Sequence, residues 1–425
     1  MFEIINVKNT KASAFTSHTF AGGLSGSGKT NSMEFLLENY FLFGKRKCFD
    51  IDTSGRFENC SYSIAEDNPQ LIAQMNWHPD LVKNYGLEPT TFNSEILMFC
   101  GRGLLYNNTF PKTIKIVSFA KEDLTWDFIK ILLGNTPALG NVLNVIQSKF
   151  GTDINFKDIE TIIFNRNFRG DKVPKNFKVN EFQEAMIKNN ITSWNQTGLF
   201  SDNVGKINFD EIINNKSIIT CFNTYLQETP IEEEIAIAII LNQILELVKK
   251  RKVNHRVLVY LRELADYLHF ELCKDNLMQI LRKGRTLGHS GIDLFADSQL
   301  PTDMKPNMRR QWGYYSQMKA HREIARHIQE IQPVPNDVVD RIPRFNIGQS
   351  VLLTGNRYDV PIQFPPTRHK HVTPGFNVLN SLGDRDGWVQ YDADMVLAHD
   401  FIPTYQKERD NVVIIEPEGD IDGDL

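Results

Sequence analysis

Residues 23–30 read Gly23-Leu24-Ser25-Gly26-Ser27-Gly28-Lys29-Thr30, which fits G-x-x-x-x-G-K-[ST], the phosphate-binding loop of nucleoside triphosphatases. No other stretch restricts the fold as tightly, because such a loop needs a strand before it and a helix after it. Its glycines let the backbone curl until several N–H groups point at one anion. The helix that follows brings its positive end to the same place. Lys29 is expected to reach the β- and γ-phosphates, and the Thr30 hydroxyl to sit on Mg²⁺. Gly23, Gly26, Ser27, Gly28 and Asn31 complete the expected nucleotide-binding set, with ATP and Mg²⁺ as ligands.

The flanks agree with the motif. Ala14–Ala21 is rich in aromatic and β-branched residues and reads as a strand. Met33, Phe35, Leu36, Leu37, Tyr40 and Phe41 recur at helical spacing, and Gly44 reads as the stop.

A chain of 425 residues is longer than one compact core usually holds, so two domains or a core with a large insertion are expected. The net charge of -5 excludes a global basic footprint for nucleic acid, and any DNA-binding surface has to be local, for example inside a pore. Cys48, Cys60, Cys100, Cys221 and Cys273 are scattered without C-x-x-C spacing, which argues against disulfides and structural zinc and for a reducing compartment. No apolar run approaches the ~18 residues of a membrane span, and the start MFEIINVKNTK carries no signal-peptide core. A cytoplasmic location is expected, in the host if the protein is viral.

Strand-like and helix-like stretches then alternate. Phe2–Val7, Arg46–Ile51, Ile114–Phe119, Lys216–Phe222, Arg256–Leu261, Gly291–Ala296 and Gln311–Met318 read as strands, and Ser350–Thr354 with Val360–Phe364 as a closing hairpin. Residues 60–112 read as irregular, broken by Pro69, Pro79, Pro89 and Pro111. A strong helix follows Thr229, with Pro230 at its first position, acids in the first turn and lysines in the last. Further helices are expected over Glu271–Lys283 and Ala320–Ile331. The pattern implies an α/β, RecA-like P-loop NTPase with a mostly parallel sheet flanked by helices. The expected division is a discontinuous core, 1–119 and 206–375, a mostly helical insertion, 120–205, and a C-terminal extension, 376–425. That extension ends in an acidic tail carrying Glu416, Glu418, Asp420, Asp422 and Asp424.

Triphosphate hydrolysis needs an oriented water, a metal and positive charge on the γ-phosphate. The carboxylate that polarises water is expected at the end of a strand next to the P-loop strand, and Glu263 has that place. The residue before such a Glu is usually an Asp that helps hold Mg²⁺. Here it is Arg262, which cannot bind a metal. Asp50 or Asp52 on a neighbouring strand is the substitute, with Asp52 at the ligand-binding strand end. Gln299, also at a strand end, is placed to sense the γ-phosphate or the attacking water. Arg282, Lys283 and Arg285 cluster near a helix end, where they either complement its dipole or project into a neighbouring subunit. Lys305, Arg309 and Arg310 are the local basic residues for contacts to DNA phosphates.

The order GLSGSGKT, DIDTSGRF, KSIITCFNT, RVLVYLRELADYL, LRKGRTLGHSGIDLFADSQLP and GQSVLLTGNRYDVPIQFPPTRH resembles the HerA/FtsK superfamily of DNA-pumping ATPases, on its HerA-like branch. The resemblance covers residues 14–60 and 205–370. It implies a ring hexamer passing duplex DNA, with Lys29 and Thr30 at the phosphates and Mg²⁺, Glu263 catalytic, Gln299 the sensor and Arg285 an arginine finger acting in trans. Arg262 departs from the pattern. With the P-loop at Gly23, the N-terminal β-barrel of cellular HerA helicases is not expected, which favours genome packaging or DNA transfer for a virus or mobile element, with a capsid or portal partner. The alternatives are a HerA-type helicase partnered with a nuclease in repair or defence, and an ATP-binding assembly switch with little hydrolysis.

Overall fold

The computed structural model describes residues 3–4, 18–53, 57–64, 90–134, 136–174, 177, 179–268, 271–284, 290–299, 302, 304–354, 357–369, 377–397 and 412–415. Its strands are β1 (Glu3–Ile4), β2 (Thr19–Gly22), β3 (Lys47–Asp52), β4 (Ser94–Phe99), β5 (Thr109–Pro111), β6 (Ile114–Ser118), β7 (Asn167–Phe168), β8 (Asp171–Lys172), β9 (Gly205–Lys206), β10 (Ile219–Asn223), β11 (Val257–Leu261), β12 (Ile292–Ser298), β13 (Tyr314–Met318), β14 (Gln349–Thr354), β15 (Arg357–Gln363), β16 (Trp388–Tyr391) and β17 (Val412–Ile415). The chain folds into two compact units, one of residues 1–97, 208–223 and 240–385, the other of residues 98–207, 224–239 and 386–425.

In the first unit the strands lie in the order β1-β15-β14-β13-β2-β12-β11-β3-β10-β4. From β13 through β2, β12, β11 and β3 to β10 every pairing is parallel. The β14–β15 hairpin is antiparallel, as its sequence predicts, and pairs antiparallel with β13. Strands β3, β10, β11 and β12 are buried along their whole length. Continuous Val/Ile/Leu runs such as VLVYL are what a sheet covered on both faces requires. The helix after the P-loop, α1 (Lys29–Gly44), is buried from Met33 to Tyr40 without interruption, polar positions included. Over those residues the helix has no solvent face and lies inside the fold, and its last turn, with Leu42 and Phe43 exposed, reaches water.

The second unit contains helices Trp126–Leu133, Pro137–Phe150, Phe156–Asn165 and Glu181–Gln196. Leu139, Leu143, Ile146, Ile159, Ile187 and Ile191 are fully buried between them. The third helix opens with a capping box, in which Asn155 Oδ1 accepts from Asp158 N at 2.9 Å and Asp158 Oδ2 accepts from Asn155 N at 3.1 Å. The same device starts the helix Pro230–Lys249, where Thr229 Oγ1 accepts from Glu232 N at 3.2 Å and Glu232 Oε2 accepts from Thr229 N at 3.4 Å. Strands β5, β16 and β17 form a small antiparallel sheet in this unit.

Two sequence expectations are corrected. The stretch 60–112 is not irregular throughout, since Ser94–Phe99 is a sheet strand; the prolines that suggested otherwise lie outside it. Ala320–Ile331 is not one helix but two short turns, Arg322–Ala325 and Ile328–Ile331. The expected strand positions 14–17, and the acidic residues of the tail, lie outside the described residues.

Candidate functional site

The loop between β2 and α1 is held by backbone on both flanks. Gly23 N donates to Ser298 O at 3.2 Å, Leu24 N to Lys319 O at 2.8 Å, and Gly348 N to Ser27 O at 2.9 Å. Gly26 and Gly28 have φ of 73° and 97°, the left-handed region that glycine enters without penalty. At Gly28 a Cβ would come within 2.9 Å of Gly348 N. Lys29 is buried and turns back under the loop, with Nζ donating to Leu24 O at 3.3 Å. The first turn of α1 contains no acid to compete with an anion.

Three strand ends surround this loop. β12 lies directly beside β2, with Asp297 paired to Ala21 and Ser298 to Gly22. The buried Asp297 carboxylate accepts three hydrogen bonds: Oδ2 from Thr30 Oγ1 at 3.2 Å and from Tyr260 OH at 2.9 Å, and Oδ1 from Glu263 N at 2.8 Å. β11 is the next strand out, so Glu263 is one strand further from β2 than its sequence position suggested. Glu263 has φ 49°, an uncommon conformation for a residue with a Cβ, and such outliers gather at functional sites. Its carboxylate accepts from Gln299 Nε2 at 3.1 Å and from Gln299 N at 3.3 Å. Burial raises its pKa above the ordinary glutamate value; the Asp297 charge adds to this, while Lys29 and the Gln299 bonds oppose it. A P-loop on one strand of a parallel sheet, an ordered carboxylate on the adjacent strand and a Glu one strand beyond settle the architecture. The chain has the fold of a P-loop NTPase.

Arg262 faces away from this P-loop. Its Nε and one terminal nitrogen donate to Asp50 Oδ1 and Oδ2 at 2.9 and 2.6 Å, with Glu34 Oε1 of α1 at 2.9 Å and Glu58 Oε2 at 3.4 Å. Tyr62 OH also donates to Asp50 at 2.7 Å. Burial pushes the Asp50 carboxyl up, against the pull of Arg262 and Tyr62. Along α1, Asn31, Glu34 and Glu38 share one face at helical spacing. Glu38 accepts from Arg368 N, His369 N and His369 Nδ1 at 2.8, 3.0 and 2.7 Å, and pairs with the Arg368 guanidinium at 3.1 Å. This polar ridge fastens the P-loop helix to β3, to the end of β11 and to residues 365–369.

The remaining sequence candidates fall as follows. Asn31 is turned to that ridge rather than to the loop: Nδ2 donates to Pro365 O at 2.9 Å and Oδ1 accepts from Thr367 N at 3.2 Å. Asp50 is held by Arg262. Asp52 ends β3, three strands from β2, a separation of about 14 Å at the usual strand spacing. Arg285 lies outside the described residues. Lys305 and Arg310 are exposed, but Arg309 is buried and pairs with Glu330 at 2.9 Å, so it is not a surface cation. All five cysteines are buried free thiols. Asp297 is the site residue that sequence reasoning passed over, although the rule that singled out Asp52, an acid at the carboxyl end of a strand, applies to it equally.

No protein-family model and no curated protein matches the sequence. Among solved structures the chain is similar to a bacterial conjugative coupling protein, TrwB, with TM-score 0.48 and 11% identity over 84% of this chain and 88% of that one. VirB4 of Thermoanaerobacter pseudethanolicus gives TM-score 0.44 and 10% identity over 84% and 90%. The genome packaging NTPase B204 of Sulfolobus turreted icosahedral virus 2 gives 0.30 and 8% over 84% and 99%. No described helix is long and apolar enough to cross a membrane.

Proposed function

We propose that the protein hydrolyses ATP and uses the energy, as a ring of identical subunits, to move double-stranded DNA in genome packaging or DNA transfer for a virus or mobile element. The observation that carries the ATPase reading is the convergence of Lys29, Thr30, Asp297 and the Gln299-held Glu263 on one loop.

The residues fit a triphosphate and its cation. A side chain at Gly26 would meet nothing within 4 Å, so the loop has open space above it. The buried Ser27 hydroxyl has no partner among the described residues. The N–H groups of the first turn of α1 have no partner within the helix. Bound Mg·ATP supplies the reactive γ-phosphoryl group. Lys29 then releases Leu24 O and turns its charge to the phosphates, and the N–H groups of 26–30 hold the chain of oxygens. Glu263 accepts the proton of the attacking water. Gln299 keeps the Glu263 carboxylate turned to that water. Arg285 of a neighbouring subunit is the proposed source of further positive charge.

The DNA part of the reading rests on the order of sequence motifs, and Lys305 and Arg310 are candidate phosphate contacts. The assembly-switch alternative rested on Arg262. Its engagement with Asp50 and Glu34, away from the loop, favours hydrolysis instead. Steady-state ATPase assays with and without duplex DNA test the proposal, together with electron microscopy of the ATP-bound protein. DNA-stimulated turnover by a ring is the expected result. Tight ATP binding with no turnover would overturn the ATPase reading, and turnover indifferent to DNA would overturn the translocase.

A further inference from the structure

The sequence leaves the nucleotide's cation short of a carboxylate, because Arg262 stands where an acid is expected. Three acids on the neighbouring strands come into question: Asp50 inside β3, Asp52 at its end and Asp297 next to the end of β12. Asp50 is neutralised by the two-pronged Arg262 contact, and Asp52 is three strands from the P-loop strand. Asp297 lies on the strand beside it, with Oδ2 3.2 Å from Thr30 Oγ1.

That distance has a physical meaning. Mg²⁺ is bound octahedrally at about 2.1 Å, so two adjacent ligand oxygens stand about 3.0 Å apart. Thr30 Oγ1 and Asp297 Oδ2 already form such an edge, bridged by the threonine proton. The threonine hydroxyl can rotate that proton away and turn a lone pair inward. The carboxylate needs no rearrangement, because Glu263 N fixes Oδ1 at 2.8 Å and Tyr260 OH fixes Oδ2 at 2.9 Å. Tyr260 occupies one lone pair of Oδ2 and leaves the other for Thr30 or a cation.

We infer that Asp297 and Thr30 are the protein's two ligands for the divalent cation of bound nucleotide, Asp297 on β12 supplying the carboxylate that the Arg262 position on β11 lacks. This rests on the nucleotide-site reading above. It also accounts for Arg262: with the metal carboxylate on β12, the β11 position is released to hold α1 against β3.

The test is binding rather than turnover. Affinity for a fluorescent ATP analogue is measured for the wild type, Asp297→Asn and Asp52→Asn, each in excess Mg²⁺ and in EDTA. Wild type should gain affinity with Mg²⁺. Asp297→Asn should lose roughly 10–100-fold of that gain, the range for a disturbed metal site, while binding in EDTA stays equal or tightens as a negative charge is removed. Asp52→Asn should behave as wild type. If Asp297→Asn keeps the full Mg²⁺ gain, or Asp52→Asn loses it, the assignment is wrong. No binding by wild type under either condition would instead sink the nucleotide-site reading. A second measurement avoids substitution altogether. Fe²⁺ replaces Mg²⁺ in wild type with ADP, ascorbate and oxygen are added, and the oxidative backbone cuts are mapped by mass spectrometry. Cuts near 30 and 297 are expected; cuts near 52 without any near 297 would overturn the inference.

Discussion

Arg262 and Asp50 meet face to face in the core, with the guanidinium donating to both carboxylate oxygens at 2.9 and 2.6 Å from a position 212 residues away. Both side chains are almost wholly out of water. Such a pair is weak evidence for added stability, because the cost of desolvation rivals the Coulomb gain. Its geometry specifies something narrower. It locks β11 to β3 and, through Glu34, to the helix that carries the P-loop.

Removing one partner leaves buried charge uncompensated. Arg262→Ala should destabilise the protein by about 3–5 kcal/mol at pH 7. Asp50 then loses the cation that restrains its upward shift, and a raised carboxyl contributes stability at low pH that is lost as pH rises through the folded value. The deficit should therefore shrink as pH falls toward the ordinary aspartate range. Adding Asp50→Ala should cost less than the sum of the two single changes, by about 0.5–3 kcal/mol. Strict additivity in urea denaturation would show that the contact carries no coupling.

Two glycines of the loop should respond differently. Gly26→Ala meets open space and bears only the cost of a left-handed alanine, about 1–2 kcal/mol. Gly28→Ala adds a clash at 2.9 Å with the backbone nitrogen of Gly348, which is itself tied to Ser27 O and cannot rotate away as a side chain would. Thermal denaturation should rank Gly28→Ala well below Gly26→Ala, and equal melting temperatures would contradict the loop geometry.

His327 offers a pH signature. It is buried against Tyr315 OH and Ile324 O, and burial brings its pKa down to about 4 despite the bond to that carbonyl. The unfolded chain therefore takes up the proton first as pH falls below about 6.5, and stability is lost between about 6.5 and about 4. From pH 7 to pH 5 this amounts to about 2 kcal/mol. His327→Gln should remove that slope. Parallel stability curves for variant and wild type across this window would show that His327 is not its source.

The parts of this site legible in the sequence are those encoded locally. The P-loop glycines, the strand before them, the capping box at Thr229 and Glu232, and the Glu263 strand end all depend on neighbours a few residues away. Strand order does not. Asp52 and Asp297 look alike as acids at strand ends, and only the placement of β12 between β2 and β11 separates them. Arg262 was readable as a residue unable to bind metal, but its partner Asp50 becomes visible only when Leu261 pairs with Ile51. Arg309 read as a surface cation because nothing near it in sequence announces Glu330.

Glu263 and Gln299 make the last prediction, and it separates chemistry from positioning. Glu263→Gln preserves size and can still meet Gln299, but it cannot take a proton from water. It should bind ATP and lose about 10²–10⁴-fold in kcat. Gln299→Ala keeps the carboxylate and removes one of its two bonds to residue 299, since the backbone N–H at 3.3 Å survives. The carboxylate is then held less firmly, and kcat should fall by a smaller factor with KM little changed, because the interaction acts on the base and not on bound substrate. A Gln299 that touched the phosphates in the ground state would raise KM instead. Unaltered turnover in Glu263→Gln would remove Glu263 from the chemistry altogether and leave its left-handed backbone as a feature of the β11 end alone.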